Sequence, residues 1–137
     1  MRKTARIILE ATATLLLIGS AVVSTPAAAA GQAPSAAVCN DKANPPTDPA
    51  VIGGCIAVDR KQGNCIACHV IPGGVLPGNI GPALADVKAR IPDRAKLRAQ
   101  IWDATVANPR TSMPPFGRNK ILTGKQIDEV VDFLETL

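Results

Sequence analysis

Gly63-Asn64-Cys65-Ile66-Ala67-Cys68-His69 is the stretch from which the rest of this chain is read. It contains the only histidine of the 137 residues. The C-x-x-C-H spacing is that of a c-type haem attachment site. Two thiols three positions apart can each bond to a vinyl group of the porphyrin, and the adjacent imidazole then supplies an axial ligand to the iron. Two other chemistries use C-x-x-C. A thioredoxin-like dithiol needs a βαβ setting, whereas this pair follows a helix-like stretch with no strand pattern nearby. A zinc site takes four nitrogen or sulfur ligands at characteristic spacings. The remaining cysteines, Cys39 and Cys55, bring neither a second C-x-x-C nor an H-x-x-H. One covalent haem c, held by Cys65 and Cys68 and ligated by His69, is the expected cofactor.

The N-terminal residues fit export. Arg2, Lys3 and Arg6 form a positive start, Leu15 to Val23 is apolar, and Ala28-Ala29-Ala30 offers a cleavage site before Gly31. This is the pattern of a secretory signal peptide over residues 1–30. The other reading is an uncleaved anchor, but the uncharged apolar run is shorter than the ~20 residues that span a bilayer. Covalent haem attachment in bacteria takes place outside the cytoplasm, so the two features support each other, and the expected location is the periplasm. Without Arg2, Lys3, Arg6 and Glu10 the net charge falls from +4 to +2. That balance is too weak to suggest a nucleic acid or a membrane surface as partner. About 107 residues then remain, enough for one domain with a modest core. With no tyrosine, one tryptophan and two phenylalanines, that core is poor in large side chains, and a central haem would fill it.

Cys39 and Cys55 are left over once the haem takes Cys65 and Cys68. In an oxidising compartment the simplest outcome is a disulfide between them. It would staple the N-terminal arm to the first helix and contribute on the order of 3 kcal/mol through loop closure. The alternative is that one of the two thiolates ligates iron.

Residues 31–47, rich in Ala, Pro, Asn and Ser, read as an arm with little regular structure, and residues 48–137 as the cytochrome domain. Asp48-Pro49 resembles an N-cap followed by proline at the first helical position, predicting a helix that runs to about Lys61. Gly53 and Gly54 within it either permit close helix packing or simply weaken the helix. Val70 to Pro82 is dense in Pro-Gly punctuation and reads as loop. Asp93 can cap a second helix, with Leu97, Ile101 and Ala104 along one face and Asn108-Pro109 as its stop. Thr123 and Gln126 form a capping-box pattern ahead of Ile127, Val130, Val131 and Leu134 at i, i+3, i+4, i+7. No period-two strand is evident. The expected fold is all-α and class I cytochrome c-like, with short helices and long loops around one haem. Loops of this length argue against a compact domain unless a cofactor buries them.

The sixth iron position is constrained by composition. A second histidine is lacking, and Met113 is the only methionine besides Met1. A thioether is a recognised partner to histidine in cytochromes c and raises the reduction potential. Met113 either serves that role or packs as an ordinary gap-filler. Its place in a proline-flanked loop, Ser112-Met113-Pro114-Pro115, favours ligation. A His/Met centre has no open site for oxygen or substrate, so its activity is one-electron transfer. The second ring nitrogen of His69 needs an acceptor. The Pro82 carbonyl is the expected one, the other reading being that Pro82 only shapes the loop.

Three stretches resemble the SoxX family of sulfur-oxidation cytochromes: Gly63 to His69, Pro77-Gly78-Asn79-Ile80-Gly81-Pro82, and Asn108-Pro109-Arg110-Thr111-Ser112-Met113-Pro114-Pro115-Phe116. Leu122 to Ile127 and Val130 to Leu134 fit the same pattern, so the resemblance covers roughly residues 48–137. It implies His69 and Met113 as axial ligands, Cys65 and Cys68 as anchors, and a heterodimer with a SoxA-type cytochrome subunit in the periplasm. It also implies a role as electron acceptor in an L-cysteine S-thiosulfotransferase. In that reaction thiosulfate is joined oxidatively to a cysteine of a SoxYZ-type carrier protein, and the electrons pass on to a downstream cytochrome c. No catalytic residue is expected in this chain itself. Cys39 and Cys55 depart from the family's core pattern. The other functional reading is a free-standing periplasmic cytochrome c serving an oxidase or another dehydrogenase.

Overall fold

Asp48 and Pro49 start the first long helix as their types dictate. The computed structural model describes residues 31–137; the expected signal peptide, 1–30, lies outside the described residues. Helix α2 (Pro49–Val58) begins with proline where no N–H partner is needed, and the Asp48 carboxylate accepts from the Ala50 amide at 2.8 Å. It stops three residues short of the predicted Lys61. The reason is Asp59, which takes an extended conformation and binds the Lys61 amide and the Gln62 side-chain amide, both at 2.8 Å. A short side-chain carboxylate that captures nearby donors competes with helix continuation.

Helix α4 (Arg94–Trp102) is capped by Asp93, which accepts from the amides of Ala95 and Lys96. It too ends early, at Trp102 rather than at Asn108-Pro109, because Asp103 turns extended and instead caps a 3-10 turn over Ala104–Val106. Helix α5 (Gly124–Leu134) has the expected capping box, with reciprocal bonds between Thr123 and Gln126 of 2.9 and 3.2 Å. Two single-turn helices were not foreseen. One is α1 (Ala36–Cys39), capped by Ser35 within the arm, and the other is α3 (Val87–Arg90). No strand occurs among the described residues, and none of their helices is long and apolar enough to cross a membrane.

The centre of the fold is the crossing of α2 on α5. Ile56 and Ala57 of α2 meet Ile127, Val130, Val131 and Leu134 of α5, all buried. The two glycines of α2 settle which of their two readings applies. A Cβ on Gly53 would lie 1.8 Å from the Glu129 carbonyl oxygen, and one on Gly54 would lie 2.5 Å from Pro34 Cδ. They are packing residues: the α5 backbone rests directly on the α2 backbone. Leu97 and Ile101 bring α4 onto α5 from another side. Arg94 pairs with Asp132 and Glu135 at 2.7 and 2.6 Å, and Arg98 pairs with Asp128 at 2.6 Å. Exposed pairs of this kind contribute little each, so the buried leucine and isoleucine do most of the holding.

Loop residues complete the core. Ile66, Ile71, Phe116 and Leu122, all outside the α-helices, are buried with the helix residues. Ala33 of the arm is buried as well, its amide bonded to the Pro72 carbonyl at 2.7 Å.

Gly53→Ala separates packing from propensity. In an exposed helix the change would stabilise by about 1 kcal/mol. Here overpacking against backbone opposes it, and we expect a net loss of about 1–3 kcal/mol in urea unfolding. A gain in stability would show that the crossing can relax.

Candidate functional site

The Cys65–Ala67 segment is a 3-10 turn tucked under the end of α2. Asn64 enters it with φ 47°, in the left-handed region that asparagine tolerates better than most residues. The Gly63 amide donates to Ile56 O at 3.1 Å and the Asn64 amide to Asp59 O at 3.0 Å. The Asp59 turn that ends α2 therefore also anchors the attachment segment. Cys65 and Cys68 are unbonded thiols. Burial pushes the Cys65 thiol up to about 11. That is opposite to the lowered value of an attacking thiol in a dithiol redox centre. Among the described residues, no group of three or more His, Cys, Asp or Glu side chains could hold a metal ion, so the pair lacks the companions of a zinc site.

The loop after the motif is sewn back onto it. The amides of Gly78, Gly81 and Leu84 donate to the carbonyls of Ile66, Cys68 and Val70, each at 2.8 Å. This brings the Pro82 carbonyl oxygen to 2.6 Å from His69 Nδ1. A carbonyl only accepts, so Nδ1 carries the proton and the Nε2 lone pair is the one available to a metal. Gly81 makes the approach possible. A Cβ there would lie 2.4 Å from His69 Cε1 and 2.6 Å from Nδ1.

Met113 is half-buried against the core, in a segment without helix. Its amide donates to Thr111 Oγ1 at 3.1 Å, and upstream Asn108 Oδ1 accepts from the Arg110 amide at 3.1 Å. Downstream the chain is fixed by buried Phe116, whose carbonyl accepts from Ile121 and Leu122. The amides of Gly117 and Arg118 then both donate to the Trp102 carbonyl, at 3.0 and 3.3 Å. Arg118 Nη1 reaches Asp103 Oδ2 at 2.8 Å and Thr105 Oγ1 at 3.0 Å. Asp103 is buried, and its carboxyl is held below the usual range, first by the Thr105 hydroxyl and also by the Arg118 guanidinium. The sequence reading missed Asp103 and Arg118. They are 15 residues apart, and no periodicity connects them.

The residue types would suit haem c: Cys65 and Cys68 as unbonded thiols and His69 with Nδ1 engaged by Pro82, while Met113 lies on a separate segment packed on the core. The surroundings agree. From Val70 to Ala85 the chain has no charged residue, and Val75, Leu76 and Ile80 are 76, 79 and 74 % exposed. The Asn64 Oδ1 atom, next to Cys65, is buried without a hydrogen-bond partner. A separate open recess of about 560 Å³ lies along α4, lined by Ala95, Arg98, Ala99, Trp102, Asp103 and Val106. It includes none of the cysteine, histidine or methionine positions above and is no part of this site.

Cys39 and Cys55 form a disulfide that joins α1 to α2 across 16 residues. This rules out either one as a free thiolate for iron.

Helices without strands, a C-x-x-C-H turn and a histidine oriented by a proline carbonyl define a cytochrome c-type domain. The family model described as cytochrome c oxidase, cbb3-type, subunit III matches residues 59–134. The chain belongs to that family of cytochrome c domains, which implies haem c as cofactor. A solved structure of SoxXA from P. pantotrophus is similar with a TM-score of 0.56 and 31 % identity, over 62 % of this chain and 78 % of that one. This likeness supports a SoxX-like cytochrome. An uncharacterized lipoprotein of Aquifex aeolicus (strain VF5) is 33 % identical over 75 residues, 54 % of this chain and 36 % of its own length. The chain thus spans about a third of that relative.

Two outcomes follow from the polar and covalent links. The Asp103 carboxyl is lowered in the fold, so its contribution is present above the ordinary aspartate value of ~3.9 and fades as pH falls through the lower, folded-state value. Asp103→Asn should flatten that acid limb in a stability-versus-pH series. An unchanged limb would assign the acid sensitivity elsewhere. Replacing Cys39 and Cys55 together by serine should lower stability by about 3 kcal/mol in chemical unfolding, as loop closure of this length predicts. Labelling of either cysteine in the intact oxidised protein would contradict the bridge.

Proposed function

We propose that the chain is the electron-transfer subunit of a SoxAX-type complex in the periplasm, carrying one haem c bonded to Cys65 and Cys68. His69 Nε2 and Met113 Sδ are the proposed axial ligands, residues 1–30 the export signal, 31–47 an arm and 48–137 the cytochrome domain. The observation that carries this reading is the 2.6 Å contact between His69 Nδ1 and the Pro82 carbonyl. It directs Nδ1 to the carbonyl, fixes the ring's orientation and leaves Nε2 as the nitrogen for a metal, beside two unbonded thiols. Haem c, when bound, supplies a one-electron iron couple. The chain's own residues then set its properties: the Pro82 carbonyl strengthens His69 as a donor, and a thioether from Met113 raises the potential. If His69 and Met113 both hold the iron, no residue of this chain would need to act on substrate.

The partner assignment rests on the P-G-N-I-G-P and N-P-R-T-S-M-P-P-F stretches and on the similarity to SoxXA at 31 % identity. In this reading a SoxA-type subunit holds the site where thiosulfate is coupled to a cysteine of a SoxYZ-type carrier. This chain accepts the electrons and hands them to a downstream cytochrome c, making it part of an L-cysteine S-thiosulfotransferase. The oxidase description of the matching family favours a second reading, a cytochrome c that serves an oxidase. Purification from the native host decides between them. Retention of a larger cytochrome subunit supports the first, and retention of oxidase subunits the second.

Met113→Ala tests the ligand set. The oxidised wild-type protein should show a thioether-to-iron charge-transfer band and the variant none, with a lowered reduction potential. Persistence of the band in the variant would refute Met113 as ligand.

A further inference from the structure

The segment that bears Met113 is long, irregular and without helix from Ala107 to Thr123, yet a thioether ligand has to stay within bonding distance of the metal. Thioethers are neutral, weak donors, so the chain has to hold the sulfur in place. Upstream the segment has only local bonds, at Asn108 and Thr111. Downstream a different kind of contact appears. The Trp102 carbonyl, at the last residue of α4, accepts two amides, those of Gly117 and Arg118. Directly beside it the Arg118 guanidinium closes on the buried Asp103 carboxylate and on Thr105. Gly117 lies flat under the Trp102 ring, where a Cβ would sit 2.2 Å from the indole, and Arg98 lies over the ring at 5.4 Å.

We infer that Asp103 and Arg118 form a latch that fixes the Met113 segment to the end of α4 and so acts as the positioning element for the sulfur ligand. This rests on Met113 being the ligand, as proposed above. Among the described residues Asp103–Arg118 is the one ion pair that ties the 107–123 loop to another element; the Glu129 side chain is as buried, 9 % exposed, but its partner Lys125 lies on the same helix. Arg94 and Arg98 pair with Asp132, Glu135 and Asp128, linking helix to helix on the surface. Arg118 links loop to helix, and its carboxylate partner has a side chain only 10 % exposed. A charge-assisted hydrogen bond to a buried acceptor is stronger than an exposed pair. Asp103 is also held by Thr105, so it offers a fixed point to the half-exposed arginine. With the Arg118 side chain lost, only the two amide bonds to the Trp102 carbonyl and the burial of Phe116 hold the segment downstream of Met113, so it loosens without unfolding the α2–α5 crossing.

The test uses the haem-loaded protein and four variants: Arg118→Ala, Arg118→Lys, Asp103→Asn and Arg94→Ala. Two signals are followed on heating, the thioether-to-iron band and the helical circular dichroism. Amide hydrogen exchange at Gly117 and Arg118 is measured in parallel. In the wild type the two signals should be lost together. In Arg118→Ala and Asp103→Asn the band should be lost at lower temperature than the helices, with amide exchange faster by about tenfold or more, as loss of one charged hydrogen bond gives. Arg118→Lys should recover part of both. Arg94→Ala should lower both transitions together. If Arg118→Ala behaves like Arg94→Ala and its amide exchange is unchanged, the latch is refuted as a positioning element and the pair is structural only. Absence of the band from the wild type would instead refute Met113 as ligand and with it the positioning role, while the exchange data would still show whether the pair holds the loop.

Discussion

One hydrogen bond organises the functional half of this molecule: the 2.6 Å contact from His69 Nδ1 to the Pro82 carbonyl oxygen. An imidazole has two nitrogens and three protonation states, and a ligand to iron needs one of them selected. A carbonyl acceptor has nothing to donate, so it excludes the tautomer protonated on Nε2 alone and leaves Nε2 as the nitrogen that can meet a metal. Everything needed to bring that carbonyl in is visible nearby. Three amides of the 78–84 loop bond to the 66–70 backbone, and Gly81 has no Cβ to strike the ring. Proline itself gives up no useful donor there and keeps its φ fixed. Gly81 lies against the imidazole and Gly78 against the Ala67 backbone, so the close approach of this loop to the attachment turn needs both.

That loop could not hold itself. It rests on Ile66 and Ile71, which are buried in the core built by α2 and α5. The core in turn depends on Gly53, where two helix backbones touch with no side chain between them. A close crossing is what allows a chain with so few aromatic residues to bury its apolar faces. The Cys39–Cys55 bridge fixes the second half of the same helix to the arm. Arm, crossing and attachment turn therefore form one mechanical series, with Asp59 as the joint between helix and turn.

How much of this could be read beforehand follows from the range of each signal. Local signals were legible. Asp48-Pro49, Asp93 and the Thr123–Gln126 box all began helices where expected, because a cap is a contact over two or three residues. The Pro82 contact and the disulfide were also anticipated, the first from the resemblance to cytochromes c, in which a proline so placed offers its carbonyl, and the second by elimination among four cysteines. Helix ends were less legible. Asp59 and Asp103 each stopped a helix early by turning their carboxylates to other donors, and nothing in the local pattern distinguishes such an aspartate from a solvated one. The Asp103–Arg118 pair was illegible for a further reason: it exists only once the chain has folded back from Gly117 onto Trp102.

Covalent haem at Cys65 and Cys68 is the claim on which the functional account stands, and a pyridine haemochrome spectrum of the protein matured in an exporting host tests it most directly. The account predicts the spectrum of a haem with two saturated thioether bonds, and pigment that stays with the polypeptide through acid–acetone extraction. A protein that emerges without haem, or whose haem passes into the acetone, would contradict it.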